Sequence, residues 1–156
     1  MRLKILDKLR PVYYIISMTI SRETDYAIRI IRALSRGGRK KIDDICQCEH
    51  IPRQFSYKIL KKLEKSGMVQ ISRGAGGGYV LAADTRDLTL FDVFKSIEGD
   101  LLLSDCLGHG FDCPMRGRGK GICGVHKELN RIQGLLLGHL REKPLAEILQ
   151  YADIPA

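Results

Sequence analysis

The sequence has no tryptophan and few other aromatic residues, with six tyrosines and four phenylalanines in 156 positions. This scarcity argues against a surface that binds single-stranded nucleic acid by stacking bases on aromatic rings. No apolar run approaches the roughly 18 residues needed to cross a bilayer, so we expect no membrane partner. Paired carboxylates and nucleophile–base pairs at informative spacing are also missing. We therefore expect that the protein is not an enzyme and has no small-molecule substrate.

Acidic residues are few relative to basic ones. Lysine and arginine number 26 against 18 aspartates and glutamates, which gives a formal net charge of +8 at pH 7. A surplus of this size favours a polyanionic partner such as nucleic acid. Hydrophobic residues make up 44% of the chain, enough for one domain with a packed core.

The first 17 residues combine basic side chains with a short apolar patch that Pro11 interrupts, and no small-residue cleavage site follows. These features do not fit a secretory signal. We interpret residues 1–17 as an amino-terminal extension of a cytoplasmic protein.

Apolar periodicity predicts helices over 23–35 and 41–49, and a third that begins at Pro52 and ends before Gly67. Helix, short helix, turn and helix is the order of a helix-turn-helix unit. In the third helix one apolar stripe is expected to face the core: Phe55, Ile59, Leu60 and Leu63.

Two short alternating segments follow, separated by a loop that contains four glycines within 74–78. This pattern predicts a β-hairpin, because glycine supplies the positive φ angles that such turns need. A hairpin directly after a recognition-type helix is a wing. We therefore expect a winged helix-turn-helix domain over 18–98.

Between Arg53 and Arg73 there are six basic residues and one acid, Glu64. A helix in the major groove meets base edges and phosphates with its exposed face, and glycines let a wing approach the backbone. The predicted DNA contacts lie on that helix face and at the base of the wing: Arg53, Gln54, Ser56, Tyr57, Lys58, Lys61, Arg73 and Gly74.

Periodicity disappears over 99–124, a glycine-rich stretch that is too long for a routine connection. A helical pattern returns over 125–140, with more apolar residues than one short helix needs, and Pro144 begins a short terminal helix. We predict a mainly α fold with a small β-hairpin wing, in which residues 125–156 form a long helix and a carboxy-terminal helix.

The stretch over 99–124 and the start of the next helix contain Cys106, Cys113, Cys123 and His126. Thiolates and imidazole are ligands for zinc or for an iron–sulfur cluster. The tight cysteine pairs of structural zinc sites are absent, so the longer spacing favours a cluster held in a wrapped loop. Zinc and metal-free thiols remain alternatives. Cys46 and Cys48 lie two apart on a helix, point to different faces, and are interpreted as ordinary small residues.

These motifs together resemble the Rrf family of winged-helix transcription factors, the group that includes IscR, NsrR and RirA. The resemblance runs from about Ile20 to Leu149. Its most specific parts are the Thr-Asp-Tyr-Ala motif at 24–27, the Gly-rich wing motif at 67–79 and the three later cysteines with a Cys-x-x-His ending. The resemblance implies a homodimer in which the helix over 125–140 packs against its mate.

The resemblance also implies ligands for a cluster. Cys106, Cys113 and Cys123 match the three cluster cysteines, and His126 matches the histidine that completes a [2Fe-2S] site in the IscR branch. In the NsrR branch a [4Fe-4S] cluster takes an aspartate from the partner's first helix, a position that Asp25 occupies. Both fourth ligands are present here. The expected function is a dimeric regulator whose affinity for a double-stranded DNA operator depends on the cluster; a zinc-stabilised or thiol-switch regulator is the alternative.

Overall fold

The structure, a computed structural model of the chain, describes residues 20–74, 76–113 and 123–150. The predicted extension over 1–17 and part of the predicted cysteine-rich segment lie outside the described residues. The described elements are six helices, a two-stranded hairpin and a short 3-10 turn: α1 (Arg22–Ser35), α2 (Ile42–Glu49), α3 (Arg53–Lys65), β1 (Val69–Ser72), β2 (Gly78–Leu81), α4 (Leu90–Glu98), the turn Asp105–Leu107, α5 (Gly124–Glu142) and α6 (Leu145–Ile148). The prediction of a mainly helical fold with a hairpin wing is confirmed.

Local sequence signals set the ends of several elements. Thr89 caps α4, where its backbone N–H donates to the Asp92 carboxylate at 2.8 Å, so a donor at the start of the helix is satisfied. Gly67 after α3 and Gly99 after α4 have φ angles of +78° and +82°. Glycine is preferred at both positions because a side chain strains a backbone with positive φ.

The core lies where α1, α2, α3 and α4 meet under the hairpin. Apolar side chains at helical spacing turn one face of each helix inward, so burial drives these four helices together. The largest fully buried apolar side chains are Ile30, Ile31, Leu34, Ile45, Ile59, Leu60, Leu63, Val93 and Leu145. This arrangement places the outer face of α3 on the surface beside the wing.

The buried stripe of α3 differs from the predicted one at two positions. Phe55 is 42% exposed, with its ring centroid 6.1 Å from that of Tyr26, while Ser56 is fully buried. Ser56 lies three and four residues before Ile59 and Leu60, so it shares their face of the helix. The prediction that Phe55 faces the core is wrong, and Ser56, which the sequence predicted as a DNA contact, is buried.

The wing pairs Val69 with Leu81 and Ser72 with Gly78 in an antiparallel ladder. It also bonds to the connection between α1 and α2: Lys40 and Tyr79 exchange two backbone hydrogen bonds, of 3.0 and 2.9 Å. Glycine is required at position 78, since a Cβ there would lie 2.7 Å from the Lys40 carbonyl oxygen. The hairpin is thus bonded to the helical domain at its second strand.

Helix α5 is 19 residues long, and Gln133 is the buried residue among them. Its carboxy-terminal end is fastened to α4, because the Arg141 guanidinium lies 3.7 Å from the centre of the Phe91 ring. The next helix, α6, is attached to the chain just before α4, since the Leu145 N–H donates to the Leu88 carbonyl at 2.7 Å. Among the residues that the structure describes, no helix has the length and apolar character needed to cross a bilayer.

Candidate nucleic-acid interface and cysteine segment

The exposed face of α3 carries the predicted side chains Arg53, Gln54, Tyr57, Lys58 and Lys61. At the start of the helix, Arg53 lies 2.9 Å from a carboxylate oxygen of Asp43 and donates to the Tyr57 hydroxyl at 3.2 Å. These contacts orient a guanidinium whose side chain remains 57% exposed. The first turn of α3 therefore presents a positioned cation to the surface.

Ser56, which the sequence predicted as a DNA contact, has a different role. Its hydroxyl lies 3.2 Å from the Cys46 sulfur and donates to the Pro52 carbonyl at 3.4 Å, so it joins α2 to α3 inside the helix-turn-helix unit. Cys46 is half-buried and Cys48 is exposed, and both are free thiols. The signal in the sequence was the spacing of Ser56, three and four residues before the apolar Ile59 and Leu60.

Lys58 is exposed but is paired within the chain. Its Nζ atom lies 2.6 Å from one oxygen of Glu23 in α1, and the Nζ atom of Lys62 lies 2.6 Å from the other. Lys62 also donates to the Ile97 carbonyl at 2.9 Å, which ties α3 to the end of α4. The hydrogen bonds from these lysines, first from Lys58, lower the pKa of Glu23.

The wing adds the predicted residues Arg73 and Gly74, both exposed after β1. Arg39 donates to the Gly76 carbonyl at 3.3 Å and thus lies against the wing loop. With Lys40 and Lys41 it forms a basic run that the sequence interpretation did not assign to the interface. The run is visible in the sequence, but its position became evident only from the pairing of Lys40 with β2.

The cysteines of the predicted cluster lie before and after residues 114–122. Cys106 is half-buried in the 3-10 turn, Cys113 is half-buried after it, and Cys123 is the exposed residue immediately before α5. His126 follows in the first turn of α5 and is half-buried. Within 20–74, 76–113 and 123–150, no three His, Cys, Asp or Glu side chains lie close enough to hold a metal ion. The donor types suit an iron–sulfur cluster, and residues 114–122 between Cys113 and Cys123 lie outside the description.

Asp25, predicted as a ligand donated to the partner protomer, lies in the first turn of α1. Its carboxylate forms an ion pair of 2.9 Å with Arg29, one helical turn later, and its side chain is 43% exposed. The carboxylate therefore lies at the surface of the protomer, on a helix end that also holds Glu23.

Comparisons with known proteins identify the family. The model of the Rrf2 family, described as iron-dependent transcriptional regulators, matches residues 20–151. Protein aau3 of Rhizobium meliloti is 30% identical over 125 residues, which cover 78% of this chain and 81% of that protein. The HTH-type transcriptional regulator IscR of Escherichia coli is 25% identical over 120 residues, covering 77% and 71% of the two chains.

Solved structures share the fold. The oxidised form of CymR from Staphylococcus aureus matches with a TM-score of 0.64 and 19% identity, covering 86% of this chain and 98% of that one. The winged-helix fold and the prediction of a regulator in place of an enzyme are confirmed. The basic face of α3, the adjoining wing and the matches to these proteins lead to one conclusion: the chain belongs to the Rrf2 family of DNA-binding transcription regulators.

Proposed function

We propose that the protein is a cytoplasmic homodimer whose affinity for its DNA operator is controlled by an iron–sulfur cluster. The observation that carries this proposal is the position and the apolar exposed side of α5, every residue of which the structure describes. This helix begins next to the cluster cysteine Cys123, buries the single residue Gln133, and leaves Val125, Ile132 and Leu135 largely exposed. Such a helix joins the ligand segment to an apolar face that a second protomer would cover.

The exposed side of α5 supports the proposed dimer. Val125 is 67% exposed, Ile132 40% and Leu135 53%. Burial of apolar surface contributes about 25 cal/mol of stabilising free energy for each Å² removed from water. Two such helix faces packed together would therefore stabilise a dimer. Two recognition helices would then address half-sites roughly 34 Å apart on DNA.

The proposed DNA contacts are of two kinds, those to phosphates and those to base edges. Arg53, Lys58, Lys61 and Arg73 would bind phosphates, with Gly74 letting the wing approach the backbone. Gln54 and Tyr57 lie on the exposed face of α3 and would contact base edges, which carry the sequence information. Arg39 lies against the wing loop and would add a phosphate contact that the sequence interpretation lacked.

The cluster would be held by Cys106, Cys113 and Cys123, with His126 or Asp25 of the partner protomer as the fourth ligand. When bound it supplies a group whose charge and ligation respond to iron supply, redox state or nitric oxide. The protein's own part is to bring thiols from the 3-10 turn and from the start of α5 together. The three described thiols are free, and the family is described as iron-dependent, which supports this ligand set.

A thiol-switch regulator is the second candidate, and a zinc-stabilised regulator is a third. The thiol switch is favoured by the accessibility of the same cysteines: Cys123 is exposed, and Cys106 and Cys113 are half-buried. In that case oxidation of the thiols, without metal, would change affinity for DNA. His126 and Asp25 would then have no part in the response.

The test is anaerobic purification followed by iron, sulfide and zinc analysis, visible absorption and Mössbauer spectra. Operator affinity is then compared before and after removal of the metal. The proposal expects a coloured protein whose operator affinity changes on removal, and loss of colour in Cys106→Ser, Cys113→Ser and Cys123→Ser. A colourless protein with stoichiometric zinc would support the zinc alternative. A metal-free protein that responds to oxidant, with His126→Ala and Asp25→Ala unaffected, would support the thiol switch.

A further inference from the structure

Gln133 lies in the middle of α5 with 6% of its surface exposed. Its Nε2 atom donates to the Leu101 carbonyl at 2.5 Å, and its Oε1 atom accepts from the Leu103 backbone N–H at 2.8 Å. One side-chain amide thus satisfies an acceptor and a donor two residues apart, as the edge of a neighbouring strand does. The segment that precedes Cys106 is therefore bound directly to α5.

That segment is folded together with the Cys106 turn. The Gly108 N–H donates to the Asp105 carbonyl at 2.9 Å, which closes the turn around the cysteine. The Ser104 hydroxyl lies 3.4 Å from the Cys106 sulfur. Only Ser104 separates the turn from Leu103, the residue that Gln133 binds. A short, hydrogen-bonded piece of chain therefore connects the Cys106 turn to the Gln133 amide.

We propose that Gln133 is a positioning residue that couples the Cys106 turn to α5, so that the state of the thiol is transmitted to the helix through Leu101 and Leu103. The inference rests on the proposed function, because it supplies the route between the ligand segment and the dimer helix. A buried amide whose partners move away is left unsatisfied, which is costly. The segment and the helix are thereby constrained to move together.

The coupling is tested first without metal. Gln133→Leu removes both hydrogen bonds while keeping a side chain of similar size. Gln133→Glu keeps an acceptor for Leu103 but sets a second oxygen against the Leu101 carbonyl. The matched control is Asn130→Leu, an exposed position one turn earlier on the same helix. The readouts are amide hydrogen exchange at Leu103 and the rate at which iodoacetamide alkylates Cys106 in apo protein.

We expect strong protection of the Leu103 amide in the unmodified protein, and alkylation of Cys106 faster by about fivefold or more in Gln133→Leu. Gln133→Glu should also accelerate alkylation, and Asn130→Leu should not. An unprotected Leu103 amide in the unmodified protein would overturn the inference even if neither variant folds. Equal alkylation rates in a folded Gln133→Leu protein would overturn it as well.

The second measurement separates this inference from the proposed function. The ratio of operator Kd without and with bound iron–sulfur cluster is compared in unmodified protein and in Gln133→Leu. The inference expects a ratio far from one in the former and near one in the latter. If both respond equally, the coupling through Gln133 is refuted while cluster control stands. If the unmodified protein shows no response, cluster control fails, and the exchange and alkylation data alone decide whether Gln133 holds the Cys106 turn.

Discussion

The Glu23 carboxylate, in the first turn of α1, lies 2.6 Å from the Lys58 Nζ atom on the exposed face of α3. The same carboxylate holds Lys62 at 2.6 Å. An acid from outside the recognition helix thus neutralises part of the surface that we propose to bind phosphates. If Lys58 binds a phosphate as we propose, Glu23 would compete with DNA for it.

We predict that Glu23→Gln strengthens binding to random-sequence DNA. The freed ammonium group of Lys58 would bind an additional phosphate, so log Kd should depend more steeply on log salt, by roughly one unit. Fluorescence anisotropy over a salt series measures this slope. The matched control is Glu128→Gln, which changes net charge equally but lies on α5, where Glu128 pairs with Arg131. Equal slopes for the two variants would contradict the prediction.

The same contact predicts a pH dependence of stability. Its hydrogen bonds from the lysines lower the pKa of Glu23 in the folded state. A lowered folded pKa stabilises the protein above the unfolded value of about 4.3, and this stabilisation is lost as pH falls through the folded value. The difference in unfolding free energy between the unmodified protein and Glu23→Gln should therefore be constant near neutrality and shrink in acid. Urea titrations at pH 7, 5 and 3 would show a constant difference if the prediction is wrong.

Loss of a cation in the wing, or of one that lies against it, should weaken DNA binding without changing sequence preference. We expect Arg73→Ala and Arg39→Ala each to reduce affinity for all DNA sequences and to lower the salt slope by about one unit. Gln54→Ala should instead change which bases are preferred, because base-edge contacts specify sequence. Selection from a random DNA library, together with the salt series, distinguishes the two effects. Unchanged binding after Arg73→Ala would remove the wing from the interface.

The interior of the helix-turn-helix unit contains an ion pair that should matter for stability. Glu49 is 1% exposed and accepts a 3.1 Å hydrogen bond from the Arg32 Nε atom, with Arg36 3.8 Å away. Arg32→Met should lower the free energy of unfolding by about 2–4 kcal/mol, because it weakens the pairing of a buried carboxylate. Urea denaturation at fixed protein concentration measures the loss.

The control is the exposed pair of Arg86 and Asp84, in which the arginine is 80% exposed. Arg86→Met should cost much less stability than Arg32→Met, because surface ion pairs contribute little. If both arginine variants lose the same stability, the burial of Glu49 does not have the effect that we assign to it.

The apolar face of α5 should hold the dimer together. Leu135→Asp would place a charge in the centre of the proposed interface and weaken association by about tenfold or more. Sedimentation equilibrium gives the dissociation constant. Ile148→Asp is the matched control, since Ile148 is similarly apolar and 38% exposed but lies in α6. A monomeric unmodified protein, or equal effects of both substitutions, would contradict the assignment.

The order of the elements was predictable because each helix and strand has a local signal. Glycines at 67 and 99, Thr89 at the start of α4 and alternation in the hairpin all act within a few residues. The exchange of Phe55 and Ser56 was not predictable from apolarity. Helical rotation places Ser56 beside Ile59, and the burial of the hydroxyl is tolerated because Cys46 and Pro52 provide partners.

Contacts between distant parts of the chain left no such signal. The position of Arg39 against the wing depends on a bridge between Lys40 and Tyr79, which are far apart in sequence. Gln133 is one of several polar residues in α5, and its partners at 101 and 103 lie in a stretch without periodicity. The ligand set of the cysteine segment stays a prediction, because it depends on long loop connections and on a second protomer.

The two hydrogen bonds between Lys40 and Tyr79 have a consequence for how operators are read. They attach the hairpin to the helices α1 to α3, so we expect the wing and the helix α3 to move together on DNA. In the proposed homodimer, a signal would then change DNA affinity by reorienting the two DNA-binding domains relative to each other. Natural operators of differing strength should accordingly differ in the distance and phase between their halves as well as in base sequence.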